Sequence, residues 1–408
     1  MHQHPRALGL APRSTAVSAI DIAARRPVQP VTLVRPHAAG RAARFFVEKF
    51  KGRSLYAVKA NPSPDLIRTL WDSGITHYDV ASIAEVRLVA ETLGGQATLC
   101  FMHPVKAEEA IREAYHVHGV RTFSLDSVEE LEKIMQATDG ATDLTLCVRL
   151  RVPSDHAKLS LASKFGALPG ETKDLLMATR QAADALGLCF HVGSQAMSPQ
   201  AYVQALAFVR AAIVDAAVTV DVIDVGGGFP SIYPGMEPTA LERYFDAIHA
   251  GFEALPISYS AELWAEPGRA LSAEYSSVLV RVERRRGDQL YINDGAYGAL
   301  FDAAHIGWRF PVALVRAEGS RAKEMAFSFY GPTCDDMDHM AGPFMLPADI
   351  QPGDYIEIGM LGAYGSAMRT GFNGFTAGET VAMSDEPMAS AYIETEVLPA
   401  RTSNVVKL

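Results

Sequence analysis

The chain has 408 residues, of which 49% are hydrophobic and 21% charged, and its net charge is −10. That length supports a large core spread over two domains, or one large domain with an appendage. The acidic balance indicates no broad basic face for nucleic acid and mildly favours a cationic substrate.

No run approaches the ~18 apolar residues of a membrane span. Residues 1–30 hold Ala, Arg and Pro without a secretory-signal pattern, and they read as a frayed N-terminus. The short apolar segment VTLV at 31–34 reads as a strand that joins a later sheet. From residue 54 a strand–helix beat begins. The expected strands are 54–60, 77–81, 96–101, 121–125, 145–151, 187–193, 218–225 and 258–265. The expected helices between them are 64–72, 83–93, 106–117, 127–137, 171–186, 199–216 and 238–254. This is the pattern of an α/β fold, a (β/α)8 TIM-like barrel over 35–271. An open doubly wound sheet is the alternative. After residue 271 long helices become scarce and short β-rich runs follow, which reads as a C-terminal all-β domain over 272–408.

Polar residues gather at the ends of these strands. Lys59, Asp79, Arg149, His191, Gly226–Gly228 and Glu266 all fall at or just after a strand's C-terminal end, where barrel enzymes build their sites. Lys59 in YAVKANP is either a surface lysine or an amine facing the mouth, able to form an imine with a carbonyl compound. DVGGGFP is either a tight turn or a set of backbone N–H groups closing on a phosphate, with Ser194 and Arg269 as further anion contacts. Glu266 in AEPGRAL either pairs with Arg269 or meets a pyridine nitrogen. His191 in HVGSQ is either a core histidine or a ring stacked on a flat cofactor. No second ligand stands at metal spacing.

Of the four cysteines, Cys100, Cys147 and Cys189 lie inside apolar runs and read as small buried hydrophobes. No pair forms CxxC, and this usage fits a reducing cytoplasm. Cys334 differs, since it stands in GPTCDDMD beside Asp335, Asp336 and Asp338. Adjacent acids raise a thiol's pKa, so proton donation suits it better than nucleophilic attack. These acids, with Asp294 in INDGAYG, are candidates for holding a cationic group.

Taken together, YAVKANP, YDVAS, HVGSQ, DVGGGFP, EPGRAL, YINDGAYG, GPTCDDMD and GAYGSAMRTGFNGF resemble the fold type III pyridoxal-phosphate decarboxylases of basic amino acids, over about residues 31–376. The resemblance implies decarboxylation of L-ornithine to putrescine and CO2, with pyridoxal 5'-phosphate held on Lys59. It implies that Glu266 meets the pyridine nitrogen and that His191 stacks on the ring. Ser194, Gly226, Gly227, Gly228, Arg269 and Tyr364 would bind the phosphate, and Asp79, Glu85 and Arg149 would line the cofactor. Cys334 and Asp335 would enter the site of the partner subunit in a homodimer. Asp294 and Asp335, near Tyr364, would grip the substrate's distal ammonium. A bifunctional lysine/ornithine enzyme is the near alternative, followed by arginine and diaminopimelate decarboxylases. A non-catalytic relative that binds cofactor or regulatory protein is the alternative from another class.

Overall fold

The computed structural model describes residues 17–392. Residues 1–16 of the expected frayed terminus and 393–408 of the expected β domain lie outside the described residues. Eight parallel strands close into a barrel in chain order. They are Arg53–Ala57, His77–Val80, Thr98–Phe101, Thr122–Leu125, Thr145–Arg149, Ala185–Cys189, Val222–Asp224 and Glu262–Ala265, the last pairing with the first. Their side chains are buried on both faces, which explains the continuous apolar runs where an alternating pattern would mark a half-exposed sheet.

Hydrogen-bonded pairing is shorter than the apolar runs. The run 54–60 leaves the ladder at Ala57, and 187–193 leaves it at Cys189. Burial continues into the turn after backbone pairing has stopped, so hydrophobicity alone places these ends late. Lys59 consequently sits on a short 3-10 turn, Val58–Ala60, directly after its strand.

The surrounding helices follow from caps and stripes. Ile83–Leu93 starts at Ser82, whose hydroxyl accepts the N–H of Glu85, and it ends at Gly94 in the left-handed region. It buries Val86, Val89 and Leu93 on one face. Pro36, Pro64 and Pro169 each stand at the start of a helix, where an N–H has no intrahelical partner to lose. Leu55, Cys100, Met102, Cys147, Cys189, Val222 and Trp264 pack as one buried cluster within the barrel.

An eight-stranded sheet follows. Its long strand Ser276–Arg286 pairs antiparallel with Val31–Val34 and with Tyr355–Ile358. Val31–Val34 also runs parallel to Thr380–Ala382, so the sheet draws on both ends of the described chain. Arg35, 1% exposed, fastens that junction by donating to Glu357 and Ser277, each at 2.8 Å. Among the described residues no helix is long and apolar enough to cross a membrane.

Candidate active site at the barrel mouth

Lys59 Nζ donates to Asp79 Oδ2 at 2.7 Å. Asp79 is buried at the end of its strand, while the Lys59 side chain is 42% exposed. Burial works against the ammonium, but Asp79 and Glu266 outweigh it and hold the Lys59 pKa above its ordinary value. Glu85 sits next along the rim, accepting the N–H of Ala81 at 2.7 Å. Burial pushes its carboxyl up, and Asp79 adds to this.

On the other side of Lys59 from Asp79 come Glu266, at the end of the strand paired with that of Lys59, and then the glycine run and His191. The Glu266 backbone N–H donates to Gly226 O at 2.8 Å. Its carboxyl lies beside that of Asp224, which is fully buried. Burial pushes both groups upward, Asp224 to about 6, with the charge of Asp79 adding at both and that of Asp224 adding at Glu266. Two adjacent buried carboxyls cannot both ionise without a cation nearby, so this pocket is built to receive a protonated nitrogen. His191 accepts the Gly193 N–H on Nδ1 at 3.0 Å, and burial followed by Arg149 and Lys59 keeps the ring neutral.

The three glycines are required sterically. A Cβ on Gly226 would come within 2.0 Å of Phe190 O, and one on Gly228 within 2.5 Å of Gly193 O. One on Gly227 would meet Glu266 O at 2.8 Å and His191 Nε2 at 3.0 Å. The run therefore lets backbone come close to the mouth while keeping Glu266 and His191 adjacent.

Arg269, 5% exposed, lies beside the run. It donates to Tyr233 Oη at 3.2 Å and to Ser194 Oγ at 3.4 Å. The rings of Trp308 and Tyr364 flank its guanidinium at 4.1 and 4.9 Å. Its Nε has no protein partner. A buried cation with an unpartnered donor, next to a glycine cradle and a serine, matches the needs of a phosphate dianion. Tyr364 reaches this place through a left-handed backbone (φ 64°), with its N–H donating to Ala60 O at 2.7 Å. The residues present thus fit pyridoxal phosphate along its length. A carbonyl-reactive amine stands at one point, a carboxyl ready to pair with a nitrogen at another, and an anion cradle at a third.

Asp294 is ion-paired within the chain. Arg369 binds it through both oxygens, at 3.1 and 2.8 Å, and Ala299 N–H donates to it as well. It is 3% exposed and knits two loops together. Asp302 belongs to the anion cradle, where its Oδ2 lies 3.6 Å from Arg269 Nη2 as that arginine's ion-pair partner. Sequence reading passed over Asp302 because FDAAH looks like an ordinary helix start. Asp224, Tyr233 and Trp308 were passed over as well. Gln195 exchanges hydrogen bonds with the Ser231 backbone.

Cys334 and Asp335 line a different cleft of about 600 Å3, together with Arg281, Glu283, Tyr291 and Tyr330. Cys334 is exposed, and Asp335 accepts from Tyr297 Oη and from Met337 N–H. Asp338 is buried and holds the hairpin itself, accepting from Thr333 and Ala296.

Residues 39–273 match the pyridoxal-dependent decarboxylase pyridoxal binding domain, and 212–362 match the C-terminal sheet domain of pyridoxal-dependent decarboxylases. The chain is 31% identical to a lysine/ornithine decarboxylase of Selenomonas ruminantium over 344 residues, covering 82% of this chain and 84% of the relative. The Paramecium bursaria Chlorella virus arginine decarboxylase bound to agmatine superimposes with a TM-score of 0.79 at 25% identity, over 89% of this chain and 98% of that one. The lysine/ornithine decarboxylase of Vibrio vulnificus complexed with cadaverine gives 0.77 at 28% identity, over 90% and 98%. The chain belongs to the pyridoxal-dependent decarboxylases, and its cofactor is pyridoxal phosphate.

Proposed function

We propose that the protein decarboxylates L-ornithine to putrescine and CO2 as a homodimer. The observation that carries the substrate class is the acidic loop of Asp335 and Asp336, which lines the cleft beside Cys334. An acid placed there suits a distal ammonium and would repel the distal carboxylate of diaminopimelate. A bifunctional lysine/ornithine activity is the second reading, supported by the likeness to the Selenomonas and Vibrio enzymes.

Lys59 would hold the cofactor through its carbonyl, Glu266 would pair with the ring nitrogen and His191 would lie on the ring face. Ser194, Gly226–Gly228, Arg269 and Tyr364 would bind the phosphate, with Asp79, Glu85 and Arg149 lining the rest. Bound there, pyridoxal phosphate supplies the sink for the electron pair left by CO2. Glu266 then ionises opposite a cationic nitrogen, which relieves its conflict with Asp224. Asp79 stabilises Lys59 as an ammonium whenever its amine is free. Asp294 and the partner subunit's Asp335 would hold the substrate's distal ammonium. The thiol of the partner subunit's Cys334 returns a proton to the α-carbon.

The dimer is supported by exposed apolar side chains close to Cys334. Met337 is 61% exposed, Phe372 41% and Phe375 44%. Three buried free thiols support a cytoplasmic setting. A non-catalytic role is disfavoured because Lys59, Glu266, Arg269 and Cys334 are all retained.

The test is to supply pyridoxal phosphate and then ornithine, lysine, arginine or meso-diaminopimelate separately, measuring CO2 and amine. Putrescine with little cadaverine supports the first reading, and comparable rates on both substrates support the second. No CO2 from any of the four removes both.

A further inference from the structure

The Cys334 thiol is not free to rotate. Its Sγ lies 3.3 Å from Asn373 Oδ1, and its backbone N–H donates to the same oxygen at 3.2 Å. One carbonyl thus fixes both the main chain and the thiol rotamer of Cys334. Asn373 adopts a left-handed backbone, φ 52° and ψ 15°, a conformation that asparagine and glycine take far more readily than other residues. The acceptor is neutral, so it orients the thiol without adding a further charge beside Asp335 and Asp336.

Asn373 is itself anchored. Its segment begins at Tyr364, whose N–H donates to Ala60 O beside Lys59. Arg369 then binds Asp294, and the Thr370 N–H donates to Tyr297 O at 2.9 Å. The Phe372 ring packs on Tyr297 at 4.8 Å, and the Tyr297 hydroxyl in turn donates to Asp335. Cys334 and Asp335 are therefore held from one side by a single braced segment, 364–375.

We propose that Asn373 is a positioning residue that aims the Cys334 proton at the substrate's α-carbon. The inference rests on the reading of Cys334 as proton donor. Loss of CO2 leaves an electron pair that takes a proton at one of two places. A proton on the α-carbon gives the amine and regenerates pyridoxal phosphate. A proton on the cofactor carbon gives, after hydrolysis, the aminoaldehyde and pyridoxamine phosphate. The second course balances as amino acid plus pyridoxal phosphate going to CO2, aminoaldehyde and pyridoxamine phosphate, with no external oxidant. A misaimed thiol shifts turnover from the first course to the second.

The experiment compares Asn373→Gly, Asn373→Asp and Cys334→Ala in the full-length holoenzyme, measuring putrescine and pyridoxamine phosphate after reaction with ornithine. Glycine removes the acceptor without straining a left-handed position, and Asn373 is exposed, so core packing is untouched. The pyridoxamine phosphate share should rise roughly tenfold in Asn373→Gly, as expected for a misplaced catalytic group. It should rise at least as much in Cys334→Ala. In Asn373→Asp it should rise less than in Asn373→Gly, because an acceptor oxygen is kept, while the added charge beside the thiol slows turnover. A shift in Cys334→Ala with none in Asn373→Gly overturns the positioning role alone. No change of partition or rate in Cys334→Ala overturns the donor reading, and the inference falls with it.

Discussion

Lys59 Nζ and Asp79 Oδ2 stand 2.7 Å apart across neighbouring barrel strands, and Asp79 belongs to the strand after the one that leads to Lys59. The amine is thereby fixed at the mouth before any cofactor arrives. Lys59→Ala should abolish the visible absorbance of lysine-bound pyridoxal phosphate and, by leaving the buried Asp79 unpaired, lower the Tm as well. A surviving lysine-type band in the variant's spectrum would remove Lys59 from cofactor attachment.

Asp335 and Asp294 should separate on substitution. Asp335→Asn should lower kcat/KM for ornithine by about 10- to 100-fold, through loss of a charged contact. Asp294→Asn also strips Arg369 of its buried counter-charge and should destabilise the fold by about 3–5 kcal/mol. Steady-state kinetics and denaturant titration on both variants distinguish these outcomes. An unchanged kcat/KM in Asp335→Asn would remove Asp335 from ammonium binding.

Gly226→Ala should weaken cofactor binding by about tenfold or more, because a cradle that depends on close backbone approach has no room for Cβ. The added carbon would fall 2.0 Å from Phe190 O, in a backbone with φ 68°. Titration with pyridoxal phosphate, followed by absorbance, measures the loss. Unchanged affinity would show that the run is only a turn.

Glu274 lies under the chain's C-terminal segment, accepting from Ser390 Oγ at 2.7 Å and Ala391 N–H at 2.8 Å. Burial pushes its carboxyl up to about 7. An acid raised on folding binds its proton more tightly in the native state. Its stabilising effect is present below the ordinary carboxylate range and is lost as pH climbs towards that raised value, on the order of 3 kcal/mol in all. Glu274→Gln, neutral throughout, should therefore raise the Tm at about pH 8 and change it little near pH 5. Equal Tm shifts at both pH values would refute the linkage.

The barrel was legible because each strand is an apolar run bounded by turn residues and each helix carries its own stripe and cap. Lys59, His191 and Glu266 were legible because they are polar residues closing such runs. Asp302 as the partner of Arg269 was not, since a carboxylate at the start of a short helix looks like any favourable helix-end charge. The pairing of Asp294 with Arg369 was illegible too, because 75 residues separate them in sequence. Strand ends were overrun wherever burial outlasted pairing, as at Val58 and Val192.

Cys100, Cys147 and Cys189 are sealed inside the barrel, while Cys334 is on the surface. The folded protein therefore presents one thiol to a reagent in solution and the unfolded chain presents four. Counting reactive thiols during denaturation measures the opening of the barrel wall directly, because no other event brings the three interior sulfurs to water. A probe attached to the fourth reports separately on the Cys334 hairpin, so one chemistry follows two regions of the same chain.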